Sequence, residues 1–231
     1  MGDSVNRLYL VRHGENLANI TKEFSHRHID YPLTPKGVLQ AQQTAEHLAD
    51  KGIHAIYSSP LRRAVETAEI IAARLDLPVA VLEELREINV GELERRPASA
   101  EGWSFFQSVL LSWLAGKVET AFPGGEDYVT LWHRMRAAIQ RALAGRQGHN
   151  VVLVGHGGIF TLTLKDLCPA VDLEWLRQSE SHNCSISEIM VTMRDGRPVG
   201  EIIRWASYAH LHGLAAELIP GGPEPDSFRE R

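Results

Sequence analysis

Short, wholly apolar runs alternate along the chain with longer stretches whose apolar residues recur at helical spacing. Residues 8–11 (Leu-Tyr-Leu-Val) form the first run and read as a buried strand. Thr34 then caps a helix with Pro35 at its first position, running through Gln40-Ala-Gln-Gln-Thr-Ala-Glu-His-Leu-Ala to a stop at Gly52. Residues 55–57 read as a strand, 62–75 as a helix ended before Pro78, 79–82 as a strand and 151–154 as another. Such alternation predicts an α/β fold, a mostly parallel sheet with helices on both faces in three layers.

The pattern changes between Glu92 and about residue 148. Trp103, Phe105, Phe106, Leu110, Leu111, Trp113 and Leu114 form a greasy helical stretch, Pro123-Gly-Gly breaks the chain, and Trp132, Met135, Ile139 and Leu143 share a face of a second helix. The first stretch reads as a helical cap insertion (92–148) over a site, or equally as core. Residues 185–192 and 201–205, joined through Asp195-Gly196, predict a hairpin. The chain thus divides into one domain over 1–205, containing the insertion, and an extension over 206–231 whose Pro220-Gly-Gly-Pro-Glu-Pro reads as a disordered tail.

Composition narrows the function classes. A 44% hydrophobic fraction supports a substantial core, and a net charge of −5 gives no general attraction to nucleic acid or acidic membranes, so any cationic pocket is local. No apolar run approaches the roughly 18 residues of a membrane span, and the polar start is no secretory signal. A cytoplasmic location follows by default. Cys168 and Cys184 fit no zinc or redox spacing and read as buried free thiols.

The first strand delivers Arg12-His13-Gly14-Glu15 at its end, where ligand and catalytic groups of α/β sheets tend to sit. Arginine offers a fork that matches phosphate, histidine a nucleophile or acid/base near neutral pH, and Gly14 a close backbone approach. A solvated turn is the plain alternative for this motif taken alone. About 140 residues on, Val151-Val-Leu-Val-Gly-His156-Gly157-Gly158 ends in the same way. Between them, Ser58-Ser-Pro opens a helix whose first turn carries Arg62 and Arg63, cations beside backbone N–H groups that favour anions.

Taken together, Arg12-His13-Gly14-Glu15, Ser59-Pro60-Leu61-Arg62-Arg63-Ala64 with Thr67-Ala68, Leu85-Arg86-Glu87 followed by Gly91, and Gly155-His156-Gly157 resemble the histidine phosphatase superfamily in motif order, across about residues 7–205. The group includes cofactor-dependent phosphoglycerate mutases and broad-specificity phosphatases. Arg12, Arg62 and His156 supply positive charge for a phosphate dianion. The resemblance implies that His13 is the nucleophile of a phosphohistidine intermediate and Glu87 the general acid. It places Asn19 on the phosphate, with Gly157 offering a backbone N–H. Ser25 is a weaker candidate for which plain loop is the favoured reading, Arg63 is expected at solvent or in a salt bridge, and Glu83, Glu84 and Glu92 read as surface charge. Many members read Gly-x-Trp-Glu-Gly after the acid, whereas this chain has Gly91-Glu92-Leu93-Glu94-Arg95, which puts that loop's geometry in question.

His26-Arg-His28 and His210-Leu-His212 are His-x-His pairs without a matching carboxylate spacing, so solvated or capping histidines are the simpler reading. No metal or cofactor is expected, and the expected partner is a small phosphate monoester, with a homodimer left open. His156-Gly157-Gly158 followed by Ile159-Phe160 resembles the phosphatases, whereas mutases commonly carry His-Gly-Asn; the mutase-type tyrosine segment and arginine pair have no match. The sequence therefore favours a phosphomonoesterase over a phosphoglycerate-mutase-type phosphotransferase, and both over an inactive phosphate-binding module.

Overall fold

Leu8 and Leu10 pack to one side of the first strand and Tyr9 and Val11 to the other, and all four are buried. Only a sheet covered on both faces can do this. In the computed structural model, which describes residues 5–220 and 222, the strands are β1 (Asn6–Arg12), β2 (Ile53–Ser58), β3 (Val79–Val81), β4 (Asn150–Gly155), β5 (Ile186–Arg194) and β6 (Arg197–Ser207). They form a sheet in the order β3-β2-β4-β1-β5-β6. The first four strands in that order pair in parallel, and β5 and β6 add as an antiparallel pair beside β1. The turn between β5 and β6 is Asp195-Gly196, both at positive φ (49° and 74°), the backbone twist that a two-residue hairpin favours.

The helices are α1 (Leu17–Thr21), α2 (Pro35–Leu48), α3 (Arg62–Leu75), α4 (Ala100–Leu114), α5 (Tyr128–Leu143), α6 (Gly157–Leu167) and α7 (Leu173–Gln178). Ala45 and Leu48 of α2 and Ala64, Ala68 and Ile71 of α3 cover Tyr9, Val11, Val152 and Val154. On the other face Met135 and Ile139 of α5 and Ile159 and Leu164 of α6 cover Leu8, Leu10, Val151 and Leu153. Each of the Leu, Ile, Val and Met side chains among these, taken fully from water, stabilises the fold by about 1.5–3 kcal/mol. Thr34 caps α2 as expected, its hydroxyl accepting from Gly37 N at 3.0 Å, and the helix ends at Leu48, before the expected stop at Gly52.

The stretch expected to be a cap, 92–148, does two different things. α4 lies over the cavity described below, whereas Leu131, Met135, Ile139 and Leu143 of α5 are core, so the second helix belongs to a sheet-covering layer. Within α4 the aromatics also divide: Trp103 and Phe106 line the cavity, Trp113 is fully buried, and Phe105 is exposed. The extension after residue 205 packs on α2, where Gln40 Nε2 donates to Ala215 O (3.1 Å) and Lys36 Nζ to Glu217 O (3.0 Å). Apart from Pro220 and Gly222, the expected disordered tail lies outside the described residues. Cys168 and Cys184 are buried free thiols, each pushed up to about 12 by burial. Among the described residues no helix is long and apolar enough to cross a membrane.

Candidate active site

β1 and β4 are parallel neighbours, with Arg12 opposite Gly155, so both histidine-bearing ends open at the same edge of the sheet. His13 N donates to Gly155 O at 3.0 Å, and the His13 and His156 rings lie 5.1 Å apart between centroids. Both are buried. The chain turns away from β1 through Gly14, where a Cβ would come within 2.5 Å of Gly37 O and no side chain fits.

Arg63 settles the state of both rings. Its Nε donates to His13 Nε2 at 3.0 Å and its Nη2 to His156 Nδ1 at 3.1 Å. A guanidinium cannot accept, so each of those ring nitrogens presents a lone pair and the protons sit on the other nitrogens. His13 Nδ1–H then donates to Gly14 O (2.7 Å) and His156 Nε2–H to Ser59 Oγ (2.7 Å). Burial, and after it the charge of Arg63, hold both histidines well below their ordinary range, with Arg12 adding to the effect. At neutral pH His13 is therefore a neutral imidazole with its Nε2 lone pair among cations.

Arg62 is not part of this arrangement. Its side chain is 59% exposed and its Nε pairs with Glu66 at 2.7 Å, while the Arg63 side chain is 3% exposed. The expectation for the two arginines is thus reversed, and the reason is helical phase. Arg63, Ala64, Thr67, Ala68, Ile71 and Ala72 form the buried face of α3, and Arg62 with Glu66 lies off it. That spacing is present in the sequence and identifies Arg63. Nη1 of Arg63 also donates to Ser25 Oγ (2.7 Å) and Nη2 to Ser25 O (2.8 Å), so Ser25 is drawn into the site as an anchor for the guanidinium.

The other candidates converge on a cavity of about 320 Å³ lined by Arg12, His13, Asn19, Ser25, Arg63, Glu87 and Gly157 among others. Arg12 Nη1 donates to Ser181 O, while its buried Nε has no protein acceptor among the described residues. Asn19 Oδ1 accepts from Asn16 N (3.1 Å) and from Asn183 Nδ2 (3.0 Å), which fixes the amide's orientation. Asn183 also donates to His13 O at 3.0 Å; nothing in the local sequence around it announces this role.

Glu87 sits against the start of α6. Its Oε2 accepts from Gly158 N (3.0 Å) and its Oε1 from Ile159 N (2.9 Å) and Ile88 N (2.9 Å). A Cβ at position 158 would fall 2.6 Å from Glu87 Oε1 and 2.7 Å from Ile88 Cδ1, so this approach requires glycine. The segment carrying Glu87 is held from behind. Arg134 of α5 donates to the carbonyls of Glu84 (2.8 Å) and Glu87 (2.9 Å) and pairs with Glu126 at 2.8 Å. His26 Nδ1 donates to Glu87 O at 2.8 Å.

The divergent loop 91–95 keeps a working geometry. Gly91 adopts φ +56°, Leu93 packs, and buried Glu94 accepts from four successive backbone N–H groups, His26 to Ile29, at 2.6–3.1 Å. Burial raises the Glu94 pKa, and those donors outweigh it and leave it lowered. Glu83 and Glu92 pair with Arg86 and Arg96, and Glu84 with Arg141, away from the cavity. His26 is thus occupied by backbone groups, and His210 Nε2 meets Thr44 Oγ at 3.0 Å. Among the described residues no group of three or more His, Cys, Asp or Glu is arranged to hold a metal.

The chain is similar to known proteins along most of its length. The profile of the histidine phosphatase superfamily (branch 1) matches residues 8–203. A Proteus mirabilis (strain HI4320) relative named probable phosphoglycerate mutase GpmB is 38% identical over 222 residues, covering 92% of this chain and 98% of its own. Its Salmonella newport (strain SL254) namesake is 37% identical over 192 residues, 79% of this chain and 84% of its own. Among solved structures, a mycobacterial glucosyl-3-phosphoglycerate phosphatase complexed with VO3 superposes with TM-score 0.72 at 26% identity, covering 87% of this chain and 99% of that one. An Entamoeba histolytica phosphoserine phosphatase variant complexed with phosphoserine gives TM-score 0.70 at 25% identity, covering 90% and 100%.

Proposed function

Because the chain belongs to the histidine phosphatase superfamily, we propose that it hydrolyses a small organic phosphate monoester through a phosphohistidine on His13. The observation that carries the proposal is the Nε2 lone pair of His13, oriented by the Nδ1–H bond to Gly14 O and held among Arg12 and Arg63. The guanidiniums and the Asn19 amide take the non-bridging phosphate oxygens, with Gly157 N–H beside them. As the phosphate binds, the Arg63 Nε–H passes from His13 Nε2 to a phosphate oxygen and frees the lone pair; Nε2 then attacks phosphorus, the P–N bond forms and the ester P–O bond breaks. The leaving oxygen takes a proton from Glu87. Water then attacks phosphorus, Glu87 recovers a proton from it, and the P–N bond breaks to release orthophosphate and the His13 imidazole.

A phosphoglycerate mutase is the second reading, favoured by the name of the 38% identical relative. A mutase must hold the acceptor's carboxylate while excluding water from the phosphoenzyme. The cations lining the cavity are Arg12, Arg63 and Lys22, and Lys22 Nζ donates to Pro220 O at 2.6 Å. This supports hydrolysis over transfer, as do the phosphatase activities for which the two structural neighbours are named. The deciding experiment supplies 3-phosphoglycerate with its bisphosphorylated primer and, separately, several monoesters. Orthophosphate release with little isomerisation is expected, together with an acid-labile phosphoenzyme that is absent from His13→Ala. Efficient primer-dependent isomerisation would overturn the choice.

A further inference from the structure

We infer that the preferred leaving group is apolar, the substrate being a phosphate monoester of a small alkyl or aryl alcohol whose carbon body lies under α4; this rests on the phosphatase reading and narrows it. The cavity has two chemically distinct ends. One holds Arg12, His13 and Arg63; the other is walled by Phe24, Val90, Trp103, Phe106, Leu110 and Leu162. Three of these rings form one cluster, with centroids 4.7 Å apart for Phe24–Trp103, 5.1 Å for Phe24–Phe106 and 5.5 Å for Trp103–Phe106.

The ring cluster is anchored at Trp103 and presents carbon. Trp103 Nε1 donates to Lys22 O at 2.9 Å, which spends the one polar atom of that side chain inside the protein and pins the indole. A polyol or amino acid body seated against these six side chains would lose water from its hydroxyl or ammonium groups and receive no hydrogen bond from them in return, a cost that an alkyl chain does not carry. Among the charged groups that line the cavity, Glu23 repels a carboxylated body, Arg12 and Arg63 stand at the phosphate end, and Lys22 Nζ donates to Pro220 O at 2.6 Å. The cavity of about 320 Å³ is of a size that suits a small ester.

The test is a homologous series, ethyl, butyl and hexyl phosphate, beside glycerol 3-phosphate, phosphoserine and 3-phosphoglycerate, with the matching alkylphosphonates as inhibitors that are not hydrolysed. Transfer of one CH₂ from water predicts a rise in kcat/KM of about fourfold per methylene, and an equal tightening of the phosphonate inhibition constants. Hexyl phosphate should then exceed ethyl phosphate by roughly two orders of magnitude, with the polar esters below butyl phosphate. Leu110→Asn, which puts an amide on the wall, should flatten the slope of the series.

Orthophosphate release from all esters with a flat or reversed chain-length dependence overturns the inference and leaves the phosphatase reading standing. Phosphonates that bind more tightly with length, with no ester hydrolysed, overturn hydrolysis and leave the apolar seat standing. Neither turnover nor length-dependent inhibition overturns both.

Discussion

Replacing Arg63 with Met, against Arg62→Ala as its neighbour, tests the assignment that separates structure from sequence most sharply. Burial holds the Arg63 guanidinium at about 10, below its ordinary 12.5. A cation so displaced makes the fold less stable by about 3 kcal/mol at neutral pH relative to an undisplaced one. Against this stand its bonds to His13 Nε2, His156 Nδ1, Ser25 Oγ and Ser25 O, whose loss leaves buried acceptors costing about 1–3 kcal/mol each where water does not reach them. Four such acceptors together outweigh the displaced cation, so Arg63→Met should lower stability by about 1 kcal/mol or more, and on the proposed mechanism it also removes the charge that meets the phosphate.

Removing one preorganised donor of this kind typically lowers kcat by about 10²–10³-fold. Arg62→Ala removes an exposed pair with Glu66, worth about 0–1 kcal/mol, and should leave kcat within about twofold. The assay is initial-rate release of p-nitrophenol from its phosphate ester, paired with the Tm gained on adding orthovanadate. Wild type and Arg62→Ala should both gain Tm with vanadate, and Arg63→Met should not. An Arg63→Met enzyme keeping more than a tenth of the wild-type rate, or an equal loss in Arg62→Ala, would refute the reasoning.

His13 and His156 are neutral in the fold and take protons near pH 6.5 once unfolded, so the stability that they contribute is complete above that pH and falls as the pH drops below it. Unfolding free energies from urea titrations between pH 7.5 and 5.5 should fall, below the unfolded pKa, by up to about 1.4 kcal/mol per pH unit for each of the two, and a flat profile would contradict the burial argument. Arg134→Met should destabilise by about 3 kcal/mol, since it breaks a largely buried pair, and should slow alkyl esters more than aryl esters because it frees the Glu87 segment. Rescue of that alkyl-to-aryl ratio by Arg134→Lys would mark Arg134 as positioning Glu87; an unchanged ratio in Arg134→Met would reduce it to a structural clamp. Gly158→Ala should do the same to leaving-group dependence by driving Glu87 off the start of α6, and normal turnover of alkyl esters by that variant would count against Glu87 as the acid.

Strong local signals make much of the fold legible in the sequence. The bounds of α3 follow from Ser-Ser-Pro before it and Pro78 after it, and the fully apolar β1 and β4 can only be buried strands. The expectation for Arg62 fails because adjacency to the motif does not decide which arginine enters the site; helical phase does. The two arginines differ by about 100° around the helix, and the buried Thr67 and Ile71 mark the side on which Arg63 lies. α1 escapes a pattern reading because it is one turn long and is held by a reciprocal pair, Asn16 and Asn19, rather than by an apolar stripe. The expected cap is too wide because composition shows that a helix is amphipathic and not which layer receives its face, so α5 and α4 look alike. Asn183 and Arg134 act through backbone groups distant in sequence, which no local spacing records.

Gly158 links these levels. In the sequence it stands only as a difference from the asparagine common in the mutases. In the structure it is the reason the carboxylate of Glu87 reaches the N–H groups of residues 158 and 159, among the first donors that α6 offers. A helix N-terminus beside a phosphate site would ordinarily serve the anion, but here two of its donors are taken by Glu87. On the proposed mechanism the phosphate charge falls to Arg12 and Arg63, two buried guanidiniums around one histidine; after burial itself, their charge holds the His13 pKa low. A Cβ at 158 would fall 2.6 Å from Glu87 Oε1, so the carboxylate would have to shift off those donors. On the proposed mechanism, the division of labour between arginines for the phosphate and a helix end for the proton-transferring carboxylate thus rests on the close approach that Gly158 permits.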